Sequence, residues 1–196
     1  VVGVVPLGEL KSGPHWGLLV TFVGGVVSCL GNLAYYGALA RGEKVATVVS
    51  LTALYPLTTI LLAVTFLRER LNRIQLAGIA ISFVAIWLFN IQSDGSLFSS
   101  TVAYAIPPIL LWGLSGFLQK VATNLLPTEA AALIYLGAFV AVAIYFALGY
   151  PWPDSFTPRV WLVVLALGFF LAFGNLALLA AYSHGGKAAV LAPLTG

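Results

Sequence analysis

The chain is poor in charge, and this scarcity excludes several classes of protein. Only 8% of its 196 residues are charged, while 61% are hydrophobic, against about a quarter and about half in soluble domains. Nine basic and six acidic side chains cannot cover the surface of a soluble globule of this length. The composition excludes a disordered chain, a collagen and a coiled coil, argues against a soluble enzyme, and predicts an integral membrane protein.

Cysteine and methionine are also nearly absent. The single cysteine, Cys29, offers neither an internal disulfide nor a CxxC site. It has no metal-ligand spacing with the two histidines, so we expect neither a metal nor a cofactor. Scattered basic residues argue against nucleic acid as a partner. The sequence contains no methionine and begins within an apolar run, so we expect it to be a fragment of a longer chain.

Long stretches without charge recur along the chain, and ~20 helical residues suffice to cross the hydrocarbon core of a bilayer. After trimming, they predict six full helices, at 18–40, 45–67, 73–91, 101–122, 129–149 and 160–183. Residues 1–5 are expected to end another helix, and residues 187–196 to begin one more.

Basic residues predict the orientation of these helices. Six of the nine lie in one alternating set of connections, which the positive-inside rule assigns to the cytoplasm. The six are Lys11, Arg68, Arg70, Arg73, Lys120 and Lys187.

An internal repeat relates residues 31–53 to residues 174–196 at a constant offset of 143. Ten of the 23 positions are identical, including a Gly-Asn pair and a Gly-x-Lys loop in each copy. The copies lie five helices apart, and because five is odd they enter the membrane in opposite directions. The repeat predicts an all-α, multi-pass bundle with a 5+5 inverted repeat and about ten helices in the intact protein, an architecture of secondary transporters.

The segment at residues 37–90 resembles the EamA family of the drug/metabolite transporter superfamily. The residues that carry the resemblance run from Ala46 through Tyr55-Pro56 to Glu69-Arg70-Leu71, followed by Gln75-Leu76-x-Gly78. The resemblance covers the whole chain, from late in the second family helix to early in the ninth. It implies that residues 1–93 are the C-terminal part of a first EamA-type repeat and residues 94–196 the N-terminal part of a second.

The resemblance also implies a function. Such families export amino acids, metabolites, nucleotide-linked compounds or drugs, so we expect a transporter and not an enzyme. Its partners would be a small-molecule solute and the lipid bilayer, in the plasma membrane and specifically a bacterial inner membrane. It would work by alternating access, as an exporter, and a homodimer is left open.

Two matched asparagines are candidates for the solute site, because an unpaired polar group is costly inside a membrane. Asn32 lies near the middle of the helix 18–40, with Tyr36 on the same face, and Asn175 lies at the matched place with Tyr182. Matched helices of an inverted repeat meet where substrate sites lie. The alternative is that both amides only join neighbouring helices.

A polar and aromatic stripe marks the helix 101–122. Its residues follow one another at steps of three or four, and they are Tyr104, Pro108, Trp112, Ser115 and Gln119. Trp112, Ser115 and Gln119 are candidates for the wall of a solute pocket, and the alternative is helix packing with interfacial anchoring. Pro107-Pro108 is expected to kink the helix.

The helix 45–67 carries the remaining candidates. Thr52 and Tyr55 would contact the solute beside Pro56, which should kink the helix. For Thr58 and Thr59 we expect the hydroxyl to bond the carbonyl one turn earlier. Arg68-Glu69-Arg70, at the end of this helix, is interpreted as structural, with a gating ion pair left open. Seven glycines should allow close helix approach, namely Gly24, Gly25, Gly31, Gly113, Gly116, Gly168 and Gly174.

Two other functions compete with transport. Ser115 lies in a Gly-x-Ser-Gly motif and His184 follows two helices later, a pairing that an intramembrane serine protease would use. A scaffold without transport activity is the other alternative. Both are disfavoured, because the serine motif is short and because a scaffold does not require matched central amides.

Overall fold

The computed structural model describes residues 14–42, 45–69, 71–90, 100–149 and 157–195. Within these ranges every regular element is an α-helix, and there are eight. They are α1 (Pro14–Ala40), α2 (Val45–Thr52), α3 (Tyr55–Phe66), α4 (Arg73–Asn90), α5 (Ser100–Leu125), α6 (Thr128–Gly149), α7 (Pro158–Ser183) and α8 (Ala188–Thr195). The predicted helix end at 1–5 and residue Arg70 lie outside the described residues.

Five helical segments in the described part are long and apolar enough to cross a membrane. They are His15–Ala40, Val45–Phe66, Val102–Leu125, Thr128–Gly149 and Pro158–Ser183. The predicted helix 73–91 forms α4 but is not among these five. The prediction of an all-α, multi-pass membrane protein is confirmed.

The predicted helix 45–67 forms one membrane-length segment, Val45–Phe66, but a break divides it into α2 and α3 where only a kink was expected. Pro56 stands in the first turn of α3, where its missing N–H costs nothing. Two residues, Ala53 and Leu54, form a turn before it, in which the Leu54 N–H donates to the Leu51 carbonyl at 3.1 Å. Proline at this place therefore starts a new helix and does not merely bend the old one.

The sequence repeat is also a repeat of backbone geometry. α1 ends at Ala40 and α7 at Ser183, which are 143 residues apart (183 − 40 = 143). Gly42 and Gly185, at the same offset, both have left-handed φ angles, of 83° and 88°. α2 and α8 then begin 143 residues apart, at Val45 and Ala188. Glycine is suited to both positions because it adopts positive φ without a steric penalty.

α5 lies at the centre of the described bundle. It packs most extensively against α1, then against α3, and also contacts α2, α6, α7 and α8. A hydrophobic core joins four helices and the end of α3, and it consists of Val20, Ala63, Leu67, Val121, Tyr182 and Ala188. Side chains on α5 therefore reach both repeat copies, which makes this helix the natural place for a site between them.

Candidate functional site

The two matched asparagines both bond to α5. Trp112 donates its Nε1–H to the Oδ1 of Asn32 at 3.0 Å. Gln119 donates from Nε2 to the Oδ1 of Asn175 at 3.1 Å. Trp112 and Gln119 are seven residues apart, which is two turns along one face of α5. The two hydrogen bonds therefore start from points about 10 Å apart on that face. We call Asn32, Trp112, Ser115, Gln119 and Asn175 the polar row.

An aromatic cluster surrounds the Trp112 end of the polar row. The Trp112 ring lies 5.3 Å from the ring of Tyr35 and 5.9 Å from that of Tyr55, measured between centroids. Tyr36 packs edge-on against Tyr35, with 50% of its own surface exposed. Aromatic rings at such distances and tilts form favourable pairs. The cluster therefore presents ring faces and edges next to the amide of Asn32.

Gly31 makes room for Trp112. A Cβ atom at Gly31 would lie 2.5 Å from Trp112 Cδ1 and 2.7 Å from its Nε1, closer than real side chains approach. Among the seven glycines predicted to allow close helix approach, Gly24, Gly25, Gly31, Gly113 and Gly116 do face a neighbouring helix. Gly168 and Gly174 have nothing within 4 Å in the described structure, so close approach at these two stays a prediction.

Ser115 occupies the middle of the polar row and is buried, with 2% exposure. Its hydroxyl donates to the Gly24 carbonyl at 2.9 Å and lies 3.0 Å from the Tyr135 hydroxyl. A serine has one hydroxyl proton, so Tyr135 is the donor in the second bond. Ser115 therefore joins α1, α5 and α6, and its bonding capacity is largely used within the protein.

The Gln119 end of the row is buried and incompletely bonded. Gln119 is 4% exposed, and its Oε1 is a buried acceptor without a hydrogen-bond partner in the described structure. The Asn175 Nδ2 donates to the Leu171 carbonyl at 2.9 Å. The Tyr182 hydroxyl is a second buried group that has no hydrogen-bond partner among the described residues. An unmade hydrogen bond in a buried place costs about 1–3 kcal/mol, so a group left in this condition calls for an explanation.

The threonines of α2 and α3 differ from expectation. Thr52, a predicted solute ligand, is buried and donates to the Val48 carbonyl of its own helix at 2.8 Å. Thr59, expected to bond within its own helix, instead donates to the Gly113 carbonyl of α5 at 2.9 Å. The reason is close approach, since Gly113 has no side chain to keep α3 away. Thr52 therefore does not join the polar row, whereas Thr59 fixes α3 to α5.

The proposed Ser115 and His184 pairing is not built in this structure. Ser115 bonds Gly24 and Tyr135 in the interior, as described above. His184 is exposed at the end of α7, where its Nδ1 lies 2.8 Å from the Ala180 carbonyl and therefore carries the proton. Within the described residues, no three His, Cys, Asp or Glu side chains are grouped closely enough to hold a metal ion.

Two residues that contact the polar row, Tyr135 and Tyr35, were not predicted from the sequence. Tyr135 is a tyrosine in a highly apolar helix, and the cost of a buried hydroxyl was a signal that could have identified it. Tyr35 was not among the candidates, although its ring contacts both Trp112 and Tyr36.

Five membrane-length helices around a partly buried polar row define a polytopic helical membrane protein. Residues 2–91 match the model of the EamA-like transporter family. Over these residues the resemblance to the EamA family of the drug/metabolite transporter superfamily is confirmed. The match supports a membrane transporter. No curated protein and no solved structure matches the chain.

Proposed function

We propose that the protein carries a small metabolite or drug-like solute across the plasma membrane by alternating access, as an exporter. The observation that supports this most directly is the bonding of two repeat-matched amides, Asn32 and Asn175, to one face of α5. An inverted-repeat carrier needs a site that both repeats can reach from opposite sides. The polar row would serve as that site, because the proposed first repeat, residues 1–93, supplies Asn32 and the proposed second repeat, residues 94–196, supplies the other members.

The chemistry of the row favours a solute with both apolar and hydrogen-bonding parts. Trp112, Tyr36 and Tyr55 offer aromatic surface, which suits a flat or apolar group. Gln119 Oε1 can only accept a hydrogen bond, and it has no partner in the described structure. A solute N–H or O–H would satisfy it and recover the cost of its burial. Asn32, Asn175 and Tyr182 complete the proposed site.

The test is solute flux in proteoliposomes that contain the intact protein. Amino acids, nucleosides, sugars and cationic drugs would be offered separately, with protein-free liposomes as the blank. The proposal expects saturable flux of one class. Absence of saturable flux for all four classes, from folded and correctly inserted protein, would contradict it and favour the scaffold. Loading the solute inside vesicles of known orientation would test export.

Gln119→Leu tests the role assigned to the unpartnered acceptor. The substitution keeps a side chain of similar size but removes the hydrogen-bonding groups. We expect the loss of flux to be about fivefold or more, equivalent to a hydrogen bond of ~1 kcal/mol. Asn124→Ala is the matched control, because Asn124 is an exposed amide on the same helix outside the row. Equal flux for wild type and Gln119→Leu would remove Gln119 from the site.

A further inference from the structure

Glu69 connects α3 to α8 through its side chain. Its Oε1 accepts from the Ala188 N–H at 3.1 Å, and its Oε2 accepts from the Ala189 N–H at 3.0 Å. These are the first two N–H groups of α8, which have no partner within the helix. A carboxylate there is also favoured by the helix dipole. The sequence left a gating ion pair open for this segment, and the Glu69 carboxylate bonds backbone N–H groups about 120 positions further along the chain.

The backbone before Glu69 is shaped for this contact. α3 ends at Phe66, and Arg68 then adopts a left-handed φ of 51°, which is uncommon for a residue with a side chain. The Glu69 N–H returns to the Ala63 carbonyl at 3.3 Å. The chain therefore reverses tightly at the end of α3, and the reversal carries the Glu69 side chain to the start of α8.

The surroundings of this contact are tightly packed. Ala63 and Leu67 of the α3 end are buried against Ala188 and Tyr182. Lys120 is 9% exposed, lies 3.4 Å from the Tyr182 carbonyl through its Nζ, and interacts electrostatically with Glu69. A buried cation near the carboxylate offsets the cost of removing both charges from water. This end of the bundle is closed.

The polar row lies towards the opposite end of α1. Val20 lies in the closed core, whereas Tyr36 is half exposed. The two residues are sixteen positions apart on one helix, or about 24 Å. The polar row meets exposed surface at the Tyr36 end, where the Asn32 and Trp112 side chains are only partly buried. The contact between the α3 end and α8 is therefore buried, whereas the polar row is partly exposed at its Asn32 end.

We propose that Glu69 is a latch: its bonds to the α8 N-terminus hold this packed end of the bundle closed, and they must break when the carrier changes state. The inference rests on the proposed alternating access, because only then does one closed end have to open. A latch differs from a fixed cap in one measurable way. Weakening it must raise the fraction of molecules that are open at this end.

The experiment measures that opening with a cysteine reporter. Leu67 is buried beside the latch, and L67C places a smaller side chain there without overpacking. Cys29, the one cysteine in this sequence, is removed as C29S together with any cysteine elsewhere in the intact protein, so that labelling reports position 67 alone. A membrane-impermeant maleimide is added to the Glu69 side of the intact protein in proteoliposomes, and the labelling rate is measured.

E69Q should raise this labelling rate about fivefold or more, the lower range of typical coupling between sites. E69D keeps the negative charge but has a shorter side chain, so it should also raise the labelling rate. This variant replaces E69Q if E69Q folds poorly. E129Q is the control for charge loss, since Glu129 is an exposed acid in the first turn of α6. R68G is the control for the reversal, because glycine keeps positive φ. Both controls should label like the parent.

Two results would overturn the latch. One is unchanged labelling in folded E69Q and E69D, and the other is an equal rise in E129Q. Neither result bears on solute flux, which is measured separately. A carrier with flux but an unresponsive reporter would keep the proposed function and lose the latch. A responsive reporter without flux would keep a conformational change at this end and lose the assigned function.

Discussion

α1 and α7 carry the same Gly-Asn-Leu-Ala segment, yet they lie in different surroundings. In the apolar stretch of α1 that could cross a membrane, 39% of the residues are buried in the bundle. In the corresponding stretch of α7 only 6% are buried. Gly31 faces the Trp112 ring, whereas its partner Gly174 has nothing within 4 Å in the described structure. The shared features are the amide that bonds α5 and the glycine turn after the helix. The matched sequence therefore specifies a bond and a turn, while the packing face differs.

The largest difference between the two copies should appear on substitution of the first glycine. Gly31→Ala places a methyl group against the rigid Trp112 ring and should cost about 1–3 kcal/mol of stability. Gly174→Ala meets open space and should be neutral, or stabilising by up to about 1 kcal/mol through helix propensity. Thermal unfolding of the detergent-solubilised protein would measure both. Equal losses in the two variants would mean that the packing difference is not real.

The turn glycines should behave alike. Alanine at Gly42 or Gly185 must adopt positive φ, which should cost about 1–2 kcal/mol in either copy. The same unfolding measurement applies, with Gly37→Ala as the control, because Gly37 is helical and has open space around it. If one turn variant is as stable as the control, the left-handed turn is not common to the two copies.

The smallest effect concerns the bonds from the amides to α5. Double-mutant cycles of Asn32→Ala with Trp112→Phe, and of Asn175→Ala with Gln119→Ala, should each give a coupling of about 0.6 kcal/mol, the value typical of hydrogen bonds between membrane helices. Trp112→Phe keeps an aromatic ring and removes the N–H donor. Zero coupling in both cycles would show that the amides do not depend on α5.

The sequence was sufficient for the helices, the repeat and the positions of Asn32 and Asn175, because these features depend on local apolarity and on matched residues. It also placed Trp112, Ser115 and Gln119 on one face of α5, since that follows from helical period. It could not tell which hydroxyls bond within their own helix. Thr52 and Thr59 have similar local sequences, and only the position of Gly113 on another helix decides between them.

The partner of Glu69 was also beyond the sequence. Its position between Arg68 and Arg70 left a gating ion pair open and pointed to no residue of α8. The contact with α8 depends on the left-handed backbone at Arg68 and on the packing of the α3 end against α8. The break between α2 and α3 carried a signal in Pro56. That signal was interpreted as a kink, because proline inside a helix and proline in a first turn look alike before the flanking turn is known.

The central claim is that the two matched amides form one solute site. Its most direct test is the flux of the transported solute through the intact protein with Asn32→Ala, Asn175→Ala and the control Asn124→Ala. We predict a loss of at least about tenfold, or ~1.4 kcal/mol, for each of the first two and none for the control. Wild-type flux in correctly inserted Asn32→Ala and Asn175→Ala would contradict the account and leave the amides as links between helices.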